Sequence, residues 1–281
     1  MVARWQLLAA GVSRHQIDHR IAAGRLTEIH RGVFLVGHEV RAPHAHEMAA
    51  LLACNLKATL SHRTAVHLWN LSPYPATAQV WVTIPAEMHA KRPLIKTIRA
   101  RLDRRDIRHR HGMPLTSPPR TILDCAALLP DLYDLERLVA EAHYRGLATE
   151  PEHRDQLERN PRKRGNRALR EVLDLPGGPK RTRSPGERAL LRLLREREIT
   201  GYETNAKIAG HEVDFLWRDA KLAIEVDGFD AHSSRISFER DRLKVATLKA
   251  AGISTMPITG RQVKRDPDGV IGRLVAALRS G

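Results

Sequence analysis

The tightest constraint on this chain is a meander in its last hundred residues. "ETNAKI" (203–208), "HEVDFLW" (211–217) and "KLAIEVD" (221–227) read as strands, separated only by a turn at Ala209-Gly210 and another around Arg218-Asp219. A side-chain period of two puts Val213, Phe215 and Trp217 on one face and Glu212, Asp214 and Leu216 on the other. Leu222, Ile224 and Val226 separate from Ala223, Glu225 and Asp227 in the same way. Connections this short make neighbouring strands antiparallel. Register stays open. With a loop of about four residues from Arg218 to Lys221, Trp217 pairs with Leu222, Asp214 lies opposite Glu225, and Glu212 opposite Asp227. A loop one residue shorter puts Asp214 across from Ile224. Carboxylates opposed across a strand pair repel unless a cation sits between them, so the first register predicts a divalent metal and the second no site.

Helices flank the meander. "SPGERALLRLLRERE" opens with Ser184 at N-cap, Pro185 at N1 and Glu187 at N3, a capping-box pattern. Glu187 also shares a face with Leu190, Leu191 and Leu194, which would turn its carboxylate inward, and both readings stand. In "SFERDRLKVATLKAAG" the residues Phe238, Asp241, Val245 and Leu248 form one stripe, so Asp241 lies on an apolar face and needs an Arg or His partner. A strand, "ISTMPI", follows, and then a closing helix with Val270, Leu274, Val275 and Leu278.

Helix, antiparallel strands, helix, strand is the order of the PD-(D/E)xK nuclease core. "SPGE", "EVDFLW", "IEVDGFDAH" and "ERDRLKVATLKAAG" resemble the DUF559 family, relatives of the very-short-patch-repair endonucleases, over about residues 184 to 265. The resemblance implies that Asp214 is the central metal ligand, flanked by Glu225 and Asp227. It places His232 beyond the glycine turn at Gly228, Glu187 as the helix carboxylate that orients a ligand water, and Asp241 as a supporting helix position. Metal ligands would then be Asp214, Glu225 and Asp227, the cofactor Mg²⁺ or Mn²⁺, and the reaction phosphodiester hydrolysis, with His232 able to exchange a proton near neutral pH. The superfamily's lysine, two residues after the glutamate, is replaced by Asp227, which leaves Asp227, His232 or Lys221 to place the attacking water.

The N-terminal residues 1 to 37 read as helix, turn, helix, hairpin. Ser13 can cap a helix carrying Ile17 and Ile21, and "LTEIHRGVFLVG" places strand-like runs either side of Arg31-Gly32. This is the order of a winged helix-turn-helix, in which Arg14, His15, His19, Arg20, Arg25, His30 and Arg31 would meet DNA; a small helical cap with a solvated basic face is the alternative. The balance of 47 Lys+Arg against 32 Asp+Glu, net +15, fits a polyanionic partner, nucleic acid before membrane. The arginine-rich bias of a GC-rich genome gives the same balance without a partner.

Between them, residues 38 to 176 mix helical periodicity with the strand-like "AQVWVTIP" and "LIKTIRARL". "LSHRTAVHLWNL" and "LTSPPRTILDCA", with the N-terminal module, resemble the AbiEi-type antitoxin family, which joins a winged helix to an α/β domain and implies DNA binding and regulation. The run 159–183 is basic and ends in Pro176-Gly177-Gly178-Pro179; it reads as a linker in which Arg162, Lys163 and Arg164 can track phosphates. Cys54 and Cys125 lie in apolar helical segments and read as buried thiols.

The expected architecture is therefore mixed α/β (α+β) in four parts: a winged helix at 1–37, a middle domain at 38–176, a basic linker at 177–183 and a nuclease core at 184–281. The expected function is a metal-dependent DNA endonuclease; the alternative is a non-catalytic DNA-binding regulator on a degenerate nuclease fold. DNA is the expected partner, with a toxin partner open and neither membrane nor organic cofactor foreseen. Without a transmembrane stretch or signal-peptide series, a cytoplasmic location is expected.

Overall fold

A computed structural model describes residues 1–37, 43–71, 79–90, 92–129, 131–175, 177–182, 184–227 and 235–280, with the backbone alone at 227, 235–241 and 280. The chain is mixed α/β and divides into two compact units, Met1–Asp174 and Leu175–Gly281.

The first unit begins with β1 (Val2–Ala3), α1 (Arg4–Ala9), α2 (Arg14–Ala22), β2 (Leu26–His30) and β3 (Val33–Val36). Ser13 caps α2 reciprocally: Gln16 N–H donates to Ser13 Oγ at 3.2 Å, and Ser13 N–H to Gln16 Oε1 at 2.9 Å. The three strands form a sheet in the order β1-β3-β2, and Ile17 of α2 packs on its Leu26 and Phe34. The next helix, α3 (Ala45–Ala53), sets Ala49 and Leu52 on Ala3 and Val33. The helix-turn-helix-hairpin segment thus shares a core with residues beyond 37, which is why the first two expected domains fall within one compact unit.

β4 (Thr59–Leu60), α4 (His62–Leu68), β5 (Val80–Ile84), β6 (Ile95–Arg99), β7 (Ile107–Arg110) and β8 (Met113–Thr116) follow, the strands forming a sheet in the order β6-β5-β4-β8-β7. His111 and Gly112, both with positive φ (51° and 72°), make the two-residue turn between β7 and β8. The unit closes with α5 (Pro118–Ala126), α6 (Leu132–Tyr144), α7 (Glu150–Arg159) and α8 (Asn166–Leu173).

Residues 60–71 and 115–126 build this core. Ser61 Oγ lies 2.9 Å from His62 Nδ1 and accepts a hydrogen bond from Thr83 Oγ1 at 2.9 Å, all buried. Arg120 donates to Asp106 (2.8 Å) and Asp124 (3.0 Å), with all three side chains at most 2% exposed. Gln156 and Arg159 complete Asp106 at 2.7 and 2.9 Å, and Lys163 reaches Asp124 at 2.6 Å. Burial works to raise the Asp106 pKa, but the hydrogen bonds from Gln156 and Arg159 and the charges of Arg120 and Arg159 outweigh it and hold the carboxyl below its ordinary value.

The second unit contains α9 (Pro185–Glu196), β9 (Glu203–Ile208), β10 (His211–Trp217), β11 (Leu222–Asp227), α10 (Arg235–Ala250), β12 (Ser254–Thr259), α11 (Gly260–Arg265) and α12 (Pro267–Ser280). Its sheet order is β12-β11-β10-β9: the meander is antiparallel, and β12 returns parallel to β11 after the crossover through α10. Leu190, Leu191 and Leu194 of α9, Val263 of α11 and Val270 and Leu274 of α12 cover one face, packing on Phe215, Trp217, Leu222, Ile224 and Val226. Leu248 of α10 and Ile253 pack on Leu216 and Ala223 on the other. Asn205 on β9 donates to the Arg181 carbonyl at 2.7 Å and Thr182 is buried, so part of the expected linker is fixed to this sheet. Among the described residues no helix is long and apolar enough to cross a membrane.

Candidate active site

The strand ladder adopts the first of the two registers. Trp217 pairs with Leu222, Leu216 with Ala223 and Phe215 with Ile224. Lys221 N–H closes the turn on the Arg218 carbonyl at 3.1 Å. Continued by one residue, this register sets Asp214 opposite Glu225. There the regular strand breaks. Val213 and Leu216 would face opposite sides of an ideal strand, yet both belong to the cluster around Leu248. On β9 the pairing keeps one register through Val213↔Ala206 and Phe215↔Thr204, but Asn205 between them has φ 48°, in the left-handed region. A non-glycine residue held there carries local strain. Here the Val226 N–H donates to Asp214 Oδ2 at 2.7 Å.

Val226 is the point on which the surrounding elements converge. Its neighbours in sequence are Glu225 and Asp227. A Cβ added to Gly186 would lie 2.9 Å from Val226 Cγ1 and 3.3 Å from the Gly260 Cα, so glycine lets the first turns of α9 and α11 meet over the end of β11. The residue after Gly186 is Glu187. Ser184 Oγ caps α9 by accepting from the Glu187 N–H at 3.0 Å, while the Glu187 side chain is drawn inward and the residue is 5% exposed.

Glu225 faces α10, and its partner there is Lys244, whose ammonium contacts Oε1, a buried oxygen. Val245, expected on the inward stripe of this helix, is 48% exposed; the sheet-facing position one turn before Leu248 is taken by the half-buried Lys244 instead. Periodicity favoured the apolar residue, but a lysine can lay its stem along the sheet and deliver its charge to a carboxylate at the edge of the core. Lys221, which immediately precedes β11, is exposed at the opposite end of that strand. Asp227 pairs through its backbone with Thr259. Its side chain, that of Asp241, and His232 with Gly228 lie outside the described residues.

Asp214, Glu225 and Glu187 provide only oxygen donors, the chemistry that suits a hard divalent ion such as Mg²⁺ or Mn²⁺. The ammonium of Lys244 already marks a place where Glu225 demands positive charge. Among the described residues no group of three or more His, Cys, Asp or Glu is arranged to hold a metal.

In the first unit, Arg14, His15, His19 and Arg20 on α2, Arg25 before β2, and Arg31 in the β2–β3 turn are all exposed. His30 is buried, and its pKa is lowered, first by burial and then by the charges of His46 and Arg92, so it is a core residue rather than a phosphate contact. Arg162 and Arg164 are exposed, whereas Lys163 is engaged by Asp124.

Residues 187–278 match the family REase_MTES_1575. The second unit is a restriction-endonuclease-like domain. The matched span runs from Glu187 through Asp214, Glu225 and Lys244 into the closing helix. Two uncharacterized proteins of Mycobacterium tuberculosis, from strains CDC 1551 and H37Rv, are each 30% identical over 121 residues, 41% of this chain and 42% of their own. The chain thus spans about two fifths of the length of these curated relatives. Among solved structures, the catalytic domain of the homing endonuclease I-Bth0305I aligns over 35% of this chain and 97% of its own, with 26% identity and a TM-score of 0.31.

Proposed function

We propose that the protein is a divalent-metal-dependent DNA endonuclease whose first unit binds the duplex. The observation that carries this is the strand exit at Val226, in a domain of restriction-endonuclease type: Asp214 accepts its N–H, Glu225 precedes it, and Gly186, next to the buried Glu187, closes on its side chain.

In the proposed reaction one water is consumed. Its oxygen bonds to phosphorus as one ester P–O bond breaks, the leaving oxygen takes a proton, and the new phosphate monoester releases the other. Mg²⁺ or Mn²⁺, when bound, supplies positive charge at the scissile phosphate. Asp214 and Glu225 would hold it, with Asp227 as the third expected ligand; Glu187 orients water, and His232 and Asp241 keep the supporting roles implied by resemblance.

The β1–β3 sheet with α1, α2 and α3 is read as a winged helix that docks α2 in the major groove, with Arg14, His15, His19 and Arg20 reaching bases or phosphates and Arg25 and Arg31 on the flanking hairpin. Arg162 and Arg164 add phosphate contacts. The AbiEi-like phrases lie in the buried core of the same unit, so they support a shared scaffold for DNA binding more directly than a toxin partner.

Supercoiled plasmid incubated with the full chain and Mn²⁺ should be nicked, and Asp214→Asn, which keeps an acceptor for the Val226 N–H while removing the charge, should abolish nicking without altering the thermal melt. Wild type and variant equally inert across metals and DNA forms, while both bind DNA, would establish a non-catalytic DNA-binding regulator instead.

A further inference from the structure

The strand carrying Glu225 has an aspartate where nucleases of this superfamily carry the lysine of their motif, so the expected site is short of one positive charge. We propose that Lys244 of α10 supplies that charge from the opposite element, as the positioning residue for the attacking water. The proposal rests on the nuclease reading above.

Three observations carry it. Lys244 contacts Glu225 Oε1, and the side chains are only 23% and 26% exposed, so the pair is sheltered on the sheet rather than free in solvent. Leu248, one turn further along α10, is fully buried against Leu216 and Ala223, which fixes the rotation of the helix and holds Lys244 over β11. The other nearby lysines are placed differently. Lys221 is exposed and starts the strand, roughly 13 Å from Glu225 at about 3.3 Å per residue. Lys249 is also exposed, next to Leu248 on the outward side of the helix.

An ammonium beside a candidate ligand aims that carboxylate and adds a donor where a water and the phosphoryl oxygens must sit. It forms no covalent bond in the reaction. Charge placed in advance toward a reacting group stabilises the transition state without reorganisation, and loss of one such donor commonly costs about 10²–10³ in rate. A lysine that merely neutralised Glu225 would behave otherwise: its removal would change metal affinity or folding and leave turnover of the loaded site intact.

The test compares Lys244→Met, Lys244→Arg and Lys249→Met in the full chain, measuring Mn²⁺ binding by calorimetry, DNA binding by fluorescence anisotropy and single-turnover plasmid nicking. Lys244→Met should slow nicking by about 10²-fold while Mn²⁺ and DNA affinities stay close to wild type. Lys244→Arg should recover part of the rate, and Lys249→Met should match wild type. If Lys244→Met melts early, Lys244→Gln, which keeps a polar head on a shorter stem, takes its place. Wild-type nicking by Lys244→Met, or a slow rate traced wholly to lost Mn²⁺ binding, overturns the proposal and leaves the nuclease reading standing. A wild-type chain that neither binds Mn²⁺ nor nicks DNA overturns both.

Discussion

Gly186→Ala is the substitution that most directly tests whether α9 and β11 meet as described. In an open helix the change would be favourable, because alanine is preferred to glycine by up to about 1 kcal/mol in a helix interior, less in the first turn. At this position the added Cβ would lie 2.9 Å from Val226 Cγ1 and 3.3 Å from the Gly260 Cα. Neither neighbour yields cheaply: Val226 is β-branched and stiff at χ1, and the Gly260 atom is backbone. Overpacking of this kind costs about 1–3 kcal/mol, so the sign of the effect should reverse. Gly272, exposed on α12 with nothing within 4 Å of a built Cβ, is the matched control, and Gly272→Ala should be neutral or stabilising. The assay is urea unfolding of both variants, with hydrogen exchange followed on peptides covering residues 184–197 and 222–227. Exchange should quicken in both segments for Gly186→Ala alone, and Mn²⁺-dependent nicking should fall because Glu187 moves with the helix. Equal stability of the two alanine variants, with nicking unchanged, would refute the close approach and with it the placement of Glu187.

Three further outcomes concern the first unit. His153 is fully buried beside His143, ring centroids 5.3 Å apart, and its pKa is pushed down to about 3, first by burial and then by His143. The unfolded chain binds a proton near pH 6.5 that the folded one refuses, so this contribution is complete above that pH and is lost progressively as pH falls toward 3. Between pH 7.5 and 5.5 the wild type should lose about 1.3 kcal/mol more unfolding free energy than His153→Leu; parallel losses would exclude the effect. On the DNA side, Arg20→Ala should reduce the slope of log affinity against log salt by about 0.9. Lys163→Ala should leave that slope unchanged and instead destabilise the protein by about 1–3 kcal/mol, since Asp124 loses a partner in a buried network. A salt-slope change for Lys163→Ala would return it to the DNA-binding surface.

Where an element is specified by its own residues, it was legible. Ser13, Ser184 and the alternation of the meander each act within a few residues, and the caps and strands form as read except that Val213 turns to the face of Leu216. Even the register, left open by the pattern, is decided locally by the turn from Arg218 to Lys221. The extent of the first unit was not legible, because Ala49 and Leu52 are small apolar residues whose partners Ala3 and Val33 lie far back in the chain. Nor was the fate of Lys163. It sits in a run of exposed basic residues, and only the fold brings Asp124 and Arg120 beneath it. Charge runs reveal where cations are dense without revealing which of them are already neutralised.

Lys244 shows the same limit at the candidate site. Helical periodicity assigns residues to a stripe by apolarity, so in "RDRLKVATL" it selects Val245 and passes over its neighbour. The deciding interaction lies across the sheet: Glu225 points toward α10 because Ile224 and Val226 are claimed by the opposite core, and that alternation leaves a carboxylate under the helix. Once Leu248 sets the rotation of α10, the residue four positions earlier faces that charge, and a valine there would remove the ammonium that contacts Glu225. Two facts available in the sequence therefore point to Lys244 when they are joined. One strand exposes a glutamate to the helix side, and the following helix carries a single lysine one turn before its buried leucine. What the sequence alone withheld was that the two face each other.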